Sequence, residues 1–128
     1  MDLGEIPTDV LYYYSGASSI AVAVVTASHN PPADNGYKVY LGDGAQIVPP
    51  HDSGISACIE QVDPTAVPFA PDDTLIATVG DELVEAYLAA VPAVRRRPDV
   101  PGVPVAYTAM HGVGGDVLMR AFAAAGLP

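Results

Sequence analysis

Ile20-Ala21-Val22-Ala23-Val24-Val25-Thr26 is an unbroken β-branched and alanine run, and Ala27-Ser28-His29-Asn30-Pro31-Pro32-Ala33-Asp34-Asn35-Gly36 follows it as a polar, proline-rich stretch. The apolar run reads as a strand buried on both faces, as in a parallel or mixed α/β sheet. Tyr37 to Leu41 alternates and reads as a second strand. Gly42-Asp43-Gly44 is a turn signal, and Ala45 to Val48 reads as the return strand before Pro49-Pro50. The loop between the first two strands sits at the carboxyl end of the buried run, where open α/β sheets place ligands. Pro31 and Pro32 stiffen it by fixing φ. Pro31 also pushes Asn30 out of the helical region, and Gly36 permits a positive φ where the chain turns into the next strand. The loop therefore presents Ser28 and His29 rigidly, and Lys38 returns ten residues after Ser28.

Farther along, Asp52 or Ser53 can cap a helix with Ile55, Ile59 and Val62 on one face. Cys58 falls beside Ile55 and Ile59, which suits core packing. Pro64, Pro68 and Pro71 mark a loop. Asp81 can cap a helix that turns Leu83, Val84, Tyr87, Leu88 and Val91 inward. A proline-rich stretch with Arg95-Arg96-Arg97 reads as a solvated linker, and Val103 to Thr108 as another apolar strand. Met110 to Gly115 is a glycine-rich loop, and Asp116 to Gly126 a helix with an Asp N-cap and a Gly C-cap. Tyr12 to Tyr14 read as core and boundary aromatics. The expected class is α/β, a three-layer α/β/α domain with a mixed sheet. Residues 1–93 form its first domain, 94–102 a linker, and 103–128 the opening βα unit of a second. One βα unit cannot bury its own faces, so the chain reads as a fragment.

Composition narrows the function. Of 128 residues, 50% are apolar, but twenty are Ala and only 33 are Leu, Ile, Val or Phe, so the expected core is thin. Fifteen acids face five bases, for a formal charge of −10. That excludes a phosphate-backbone binder, which needs a basic footprint, and disfavours anionic membrane surfaces. No apolar run approaches the roughly 18 residues of a membrane span. Cys58 is the single cysteine, so no internal disulfide or cysteine zinc site is expected, and a reducing cytoplasm is the expected setting. His51 reads as surface and His111 as structural. Asp72, Asp73, Asp81, Glu82 and Glu85 read as loop and cap residues, not a metal cluster.

The Ser28 loop suits phosphoryl transfer. A serine oxygen can hold a phosphoryl group covalently. The remaining work is positioning and charge neutralisation, usually with a divalent metal. A nearby Lys or His can shuttle the proton of an attacking hydroxyl.

Thr26-Ala27-Ser28-His29-Asn30-Pro31-Pro32-Ala33-Asp34-Asn35-Gly36-Tyr37-Lys38 resembles the phosphoserine loop of the α-D-phosphohexomutases, which include phosphoglucomutase and phosphomannomutase. Leu3-Gly4-Glu5-Ile6-Pro7-Thr8, with Val10 to Tyr13, resembles the strand and helix start that precede that loop. Tyr107-Thr108-Ala109-Met110-His111-Gly112-Val113-Gly114-Gly115 resembles the opening of the second domain, and both motifs are most similar in wording to the phosphoglucomutase/phosphopentomutase-like branch. The resemblance implies interconversion of hexose 1-phosphate and 6-phosphate, of glucose or mannose, through a bound hexose 1,6-bisphosphate. Ser28 would be the phosphoryl carrier and Lys38 the general acid/base, with His29 assisting or orienting. Asn30, Pro31 and Gly36 would shape the loop. Mg²⁺ would take a phosphoryl oxygen on Ser28 as one ligand. The D-x-D-x-D-R loop that completes such a metal site does not occur in these residues, so the fragment alone is not expected to turn over.

Two other readings compete. A serine hydrolase would use Ser28 with a histidine and an aspartate, but the G-x-S-x-G elbow is missing, and adjacent residues of an extended segment point to opposite faces. A truncated, non-catalytic product is the other alternative.

Overall fold

The computed structural model describes residues 1–27, 30–68 and 72–127. Its elements are α1 (Thr8–Ser18), β1 (Val22–Val25), β2 (Tyr37–Tyr40), α2 (His51–Ile59), α3 (Glu82–Ala90) and α4 (Gly114–Ala124). Short 3-10 turns cover Asp73–Leu75 and Val91–Val94. The fold is α/β, and the described residues divide into two compact units: 1–14 with 78–127, and 15–77. No helix among the described residues is long and apolar enough to cross a membrane.

In the unit formed by 15–77, β1 and β2 pair antiparallel, with Val22 opposite Tyr40, Ala23 opposite Val39, Val24 opposite Lys38 and Val25 opposite Tyr37. Two polar anchors hold the base of this hairpin. The Ser15 hydroxyl, fully buried, lies 2.8 Å from the Ile20 carbonyl and 2.6 Å from the Leu41 carbonyl. Its one hydrogen is shared between two acceptors on separate segments. At Gly42 a Cβ would stand 2.6 Å from the Ser19 carbonyl oxygen, so the close backbone approach requires glycine. The Gly42-Asp43-Gly44 turn forms as expected: the Gly44 amide donates to the Leu41 carbonyl at 2.9 Å, and the Asp43 carboxylate accepts from the Ala45 amide at 2.9 Å.

Four expectations change here. β1 is not buried on both faces: Val22 and Val24 are half-buried, whereas Ala23 and Val25 are exposed. One side of the hairpin is covered, so burial alternates with the pleat. The return segment 45–48 makes a single bridge, Gln46 to Tyr40, and an Ile47 amide bond to the Val39 carbonyl at 3.0 Å. The turn brings it back, and Pro49-Pro50, lacking amide hydrogens, stops the ladder. On α2 the N-cap is Pro50. Asp52 and Ser53 fall inside the first turn, where Asp52 accepts from the Ser53 amide at 2.7 Å and the Ser53 hydroxyl donates to the Pro50 carbonyl at 3.1 Å. Cys58, Ile59 and Val62 are exposed rather than core, since α2 turns Asp52 and Ile55 toward β2 instead.

The other unit holds the apolar core. Val10, Leu83, Leu88, Val117 and Ala121 are buried together, with Leu3, Ile6, Tyr14, Val79, Val84, Tyr87 and Val91 packed around them. α3 turns inward the face its spacing indicates. The N-terminal strand expectation reduces to one parallel bridge, Asp2 to Thr78, with the Val79 amide donating to the Asp2 carbonyl at 2.9 Å. Of Tyr12 to Tyr14, Tyr12 is exposed and the other two are half-buried. The Tyr13 ring meets Tyr87 edge to face at 5.6 Å.

α4 begins two residues before Asp116, with Val113 at its N-cap. A Cβ on Gly114 would lie 3.0 Å from the Tyr107 hydroxyl, so a side chain there would push the tip of that exposed tyrosine aside. The helix ends as expected at Gly126, whose φ is +66°. The Leu127 amide reaches the Phe122 carbonyl at 2.9 Å and the Gly126 amide the Ala123 carbonyl at 3.1 Å, the pairing of a Schellman cap. Asp116 and Glu85 both meet Arg120 as ion-pair partners.

The expected strand Val103 to Thr108 is not formed: 101–109 carry no regular structure, and Val103 and Val105 are exposed. A strand exists only through a ladder partner, and the described residues supply none. Arg95 also departs from the solvated-linker reading. Its guanidinium donates to the carbonyls of Ala125 at 2.7 Å, Gly126 at 3.3 Å, Pro98 at 3.1 Å and Val100 at 3.0 Å. The fork meets the carbonyls of Ala125 and Gly126 just past the end of α4, where the helix supplies no donors.

Candidate active site

The loop from Ala27 to Gly36 is held at its ends by the hairpin. The Thr26 amide donates to the Gly36 carbonyl at 2.9 Å, extending the β1–β2 ladder by one rung and closing the loop. Within it, the Asn30 amide donates to the Ala27 carbonyl at 2.8 Å and the Asp34 amide to the Pro31 carbonyl at 2.9 Å. The second of these bonds closes a tight turn over 31–34. A Cβ on Gly36 would stand 3.2 Å from both the Thr26 carbonyl and the Asn30 side-chain nitrogen. Gly36 is thus confined by close approach and does not take the positive φ expected of it; among the described residues the positive-φ glycines are Gly4, Gly44 and Gly126.

Ser28 and His29, the expected phosphoryl carrier and its neighbour, lie outside the described residues. Asn30 and Pro31 are exposed on the loop. Lys38 is half-buried in β2, directly across from Val24. It lines a cleft of about 320 Å³ together with Tyr37, Val39, Gln46, Ile47, Asp52, Ile55 and Ser56. Three segments build this cleft: β2, the return segment after the turn, and the first turns of α2. Asp52, Ile55 and Ser56 share one helix face by their spacing. The sequence reading placed Asp52 at a helix cap and assigned nothing to Gln46 or Ser56. Only the path of the return segment brings them to Lys38, and no local pattern encodes that path. His111 is exposed at the turn before α4.

Among the described residues no group of three or more His, Cys, Asp or Glu side chains could hold a metal ion. The one Mg²⁺ ligand that the resemblance implies from this chain, a phosphoryl oxygen on Ser28, lies outside the described residues.

The hairpin thus closes the loop between Thr26 and Gly36 and carries half-buried Lys38 on its second strand, within an α/β fold. Residues 1–66 match the family model described as phosphoglucomutase/phosphomannomutase, alpha/beta/alpha domain I. The chain belongs to the phosphoglucomutase/phosphomannomutase family. It is 43% identical over 128 residues to a Haemophilus influenzae protein named "Probable phosphomannomutase", covering 97% of this chain and 26% of that one. It is 40% identical over 114 residues to the Homo sapiens "Phosphopentomutase", covering 79% of this chain and 18% of that one. It is 34% identical over 128 residues to the Homo sapiens "Glucose 1,6-bisphosphate synthase", covering 91% of this chain and 20% of that one. The chain thus spans about a quarter or less of the length of these relatives. No solved structure matches it.

Proposed function

We propose that this chain carries the phosphoryl-transfer loop of a phosphosugar mutase, with Ser28 as the phosphoryl carrier. The reaction is interconversion of hexose 1-phosphate and 6-phosphate, of glucose or mannose. Residues 1–93 are its first domain, 94–102 a linker and 103–128 the start of the next. The observation that carries the reading is the closed loop between Thr26 and Gly36, with Lys38 one turn of the pleat beyond it. The names of the relatives, all sugar phosphate enzymes, support it. The net charge of −10 favours a small substrate over nucleic acid, and the single Cys58 suits the cytoplasm.

In the proposed step a sugar hydroxyl oxygen attacks the phosphorus carried on Ser28. The new P–O bond forms to the sugar as the bond to the serine oxygen breaks. The hydroxyl proton passes to Lys38 and on to the departing serine oxygen, with His29 assisting or orienting. The product is a hexose 1,6-bisphosphate, which turns over and returns its other phosphoryl group to Ser28. Mg²⁺ remains part of the proposal, with a Ser28 phosphoryl oxygen as its ligand from this chain.

The test is incubation of the protein containing these residues with radiolabelled glucose 1,6-bisphosphate, followed by peptide mass spectrometry. Label is expected on Ser28 and absent from the Ser28→Ala variant. Label elsewhere, or none, overturns the reading. Glucose, mannose and ribose phosphates offered in parallel decide the sugar.

A further inference from the structure

Asn30 and Asn35 are the two asparagines of the chain, and both stand in the loop that follows β1. Asn35 precedes Gly36, and that pairing is chemically weak. The main-chain nitrogen after an asparagine can attack its Cγ, and a glycine, with no Cβ in the way, lets the two approach. We infer that Asn35 is a site of spontaneous deamidation in the folded protein, and that its isoaspartate product opens the loop between Thr26 and Gly36.

The reaction needs only water. The Gly36 nitrogen gives up its proton as it bonds to Asn35 Cγ, and the side-chain amide group takes a proton as it leaves as ammonia. The cyclic imide then adds water at either carbonyl. One cleavage leaves aspartate at position 35 and the other leaves isoaspartate.

The structure leaves Asn35 open to this attack. It is exposed and outside regular structure. Among the described residues, neither its side chain nor the Gly36 amide has a hydrogen-bond partner, so neither reacting group is tied to another. Two sites of related sequence are held. Asn30 precedes Pro31, whose nitrogen has no hydrogen to give up. Asp43 precedes Gly44, the same pairing in acid form. There the Gly44 amide is engaged by the Leu41 carbonyl at 2.9 Å and the Asp43 carboxylate by the Ala45 amide at 2.9 Å. The consequence for the loop follows from position. Isoaspartate adds a methylene to the main chain directly before Gly36, whose carbonyl accepts from the Thr26 amide at 2.9 Å. That junction has little room, since a Cβ on Gly36 would stand 3.2 Å from the Thr26 carbonyl oxygen.

The test ages the protein containing these residues at neutral and at mildly alkaline pH, folded and in urea. Peptide mass spectrometry with fragmentation that separates aspartate from isoaspartate follows each site. Folded, Asn35 is expected to lose its amide within a few-fold of its rate in urea, and faster as the pH rises. Asn30 should keep its amide, and Asp43 should isomerise in urea alone. An Asn35 amide that survives in the folded protein under conditions that convert it in urea overturns the inference. Hydrogen exchange at the Thr26 amide should accelerate in the aged protein. It should match the fresh parent in Asn35→Asp, which carries the new charge without the added methylene. Equal exchange in fresh and aged protein overturns the opening of the loop. Neither readout draws on phosphoryl transfer, so the result stands apart from that of the Ser28 labelling.

Discussion

Tyr87 donates its phenolic hydrogen to the Asp9 carboxylate at 2.9 Å, joining α3 to the first turn of α1 across 78 positions of sequence. Burial of the ring is the main cause that pushes the Tyr87 phenol up to about 12, and the hydrogen bond and charge of Asp9, with Tyr12, push it further. The protonated phenol is the form the fold favours. Its contribution is therefore complete below the ordinary tyrosine value near 10 and is lost as the pH rises through about 12. Spectrophotometric titration near 295 nm should show a late-titrating component, and Tyr87→Phe should abolish it. Unfolding free energies compared between pH 9 and 12 should fall more steeply in the parent than in that variant. Parallel slopes would contradict the assignment.

Ser15→Ala should destabilise the 15–77 unit by about 0.5–1.5 kcal/mol, since it removes the buried hydroxyl that bridges the Ile20 and Leu41 carbonyls, the latter keeping only the Gly44 amide as donor among the described residues. Urea unfolding followed at the β1–β2 amides measures it. An unchanged midpoint would show that water replaces the hydroxyl.

Arg95→Lys should cost about 1–2 kcal/mol, because an ammonium cannot span four carbonyls on two segments as the planar fork does. Arg96→Lys, at an exposed neighbour, should cost nothing measurable. Hydrogen exchange at the last turn of α4 should accelerate in the first variant and not in the second.

Lys38→Met keeps the aliphatic stem in the sheet and removes the proposed proton carrier. On the proposed function it should lower phosphoryl transfer from Ser28 about 10²- to 10⁴-fold while leaving the hairpin's melting temperature close to that of the parent. Retained transfer would shift the proton role to His29.

What could be read in advance follows from the range of each interaction. The helices α3 and α4 announce themselves because their inward faces repeat every turn, as Leu83, Val84, Tyr87 and Leu88 show. The hairpin is equally local: its turn glycines and alternating strand lie within about 25 residues. Val103 to Thr108 misled because strand propensity says nothing about whether a neighbour exists to complete the ladder. Asp9 and Arg95 gave no advance signal. A lone carboxylate and a run of arginines look solvated until a partner 78 or 30 residues away is placed beside them. The same holds for Asp52 in the candidate site, which reads locally as a helix cap.

The antiparallel register between β1 and β2 has a consequence for how the loop can vary. Side chains alternate across a strand, so the pairing of Val24 with Lys38 decides on which side of the hairpin the lysine emerges. Substitutions between Ala27 and Asn35 leave that choice untouched, and added residues there only lengthen the bulge. Removing or inserting one residue within Tyr37–Tyr40 would shift the pairing by one and turn Lys38 to the opposite face. The hairpin thus tolerates new letters at the tip of the loop but counts every residue along its rail.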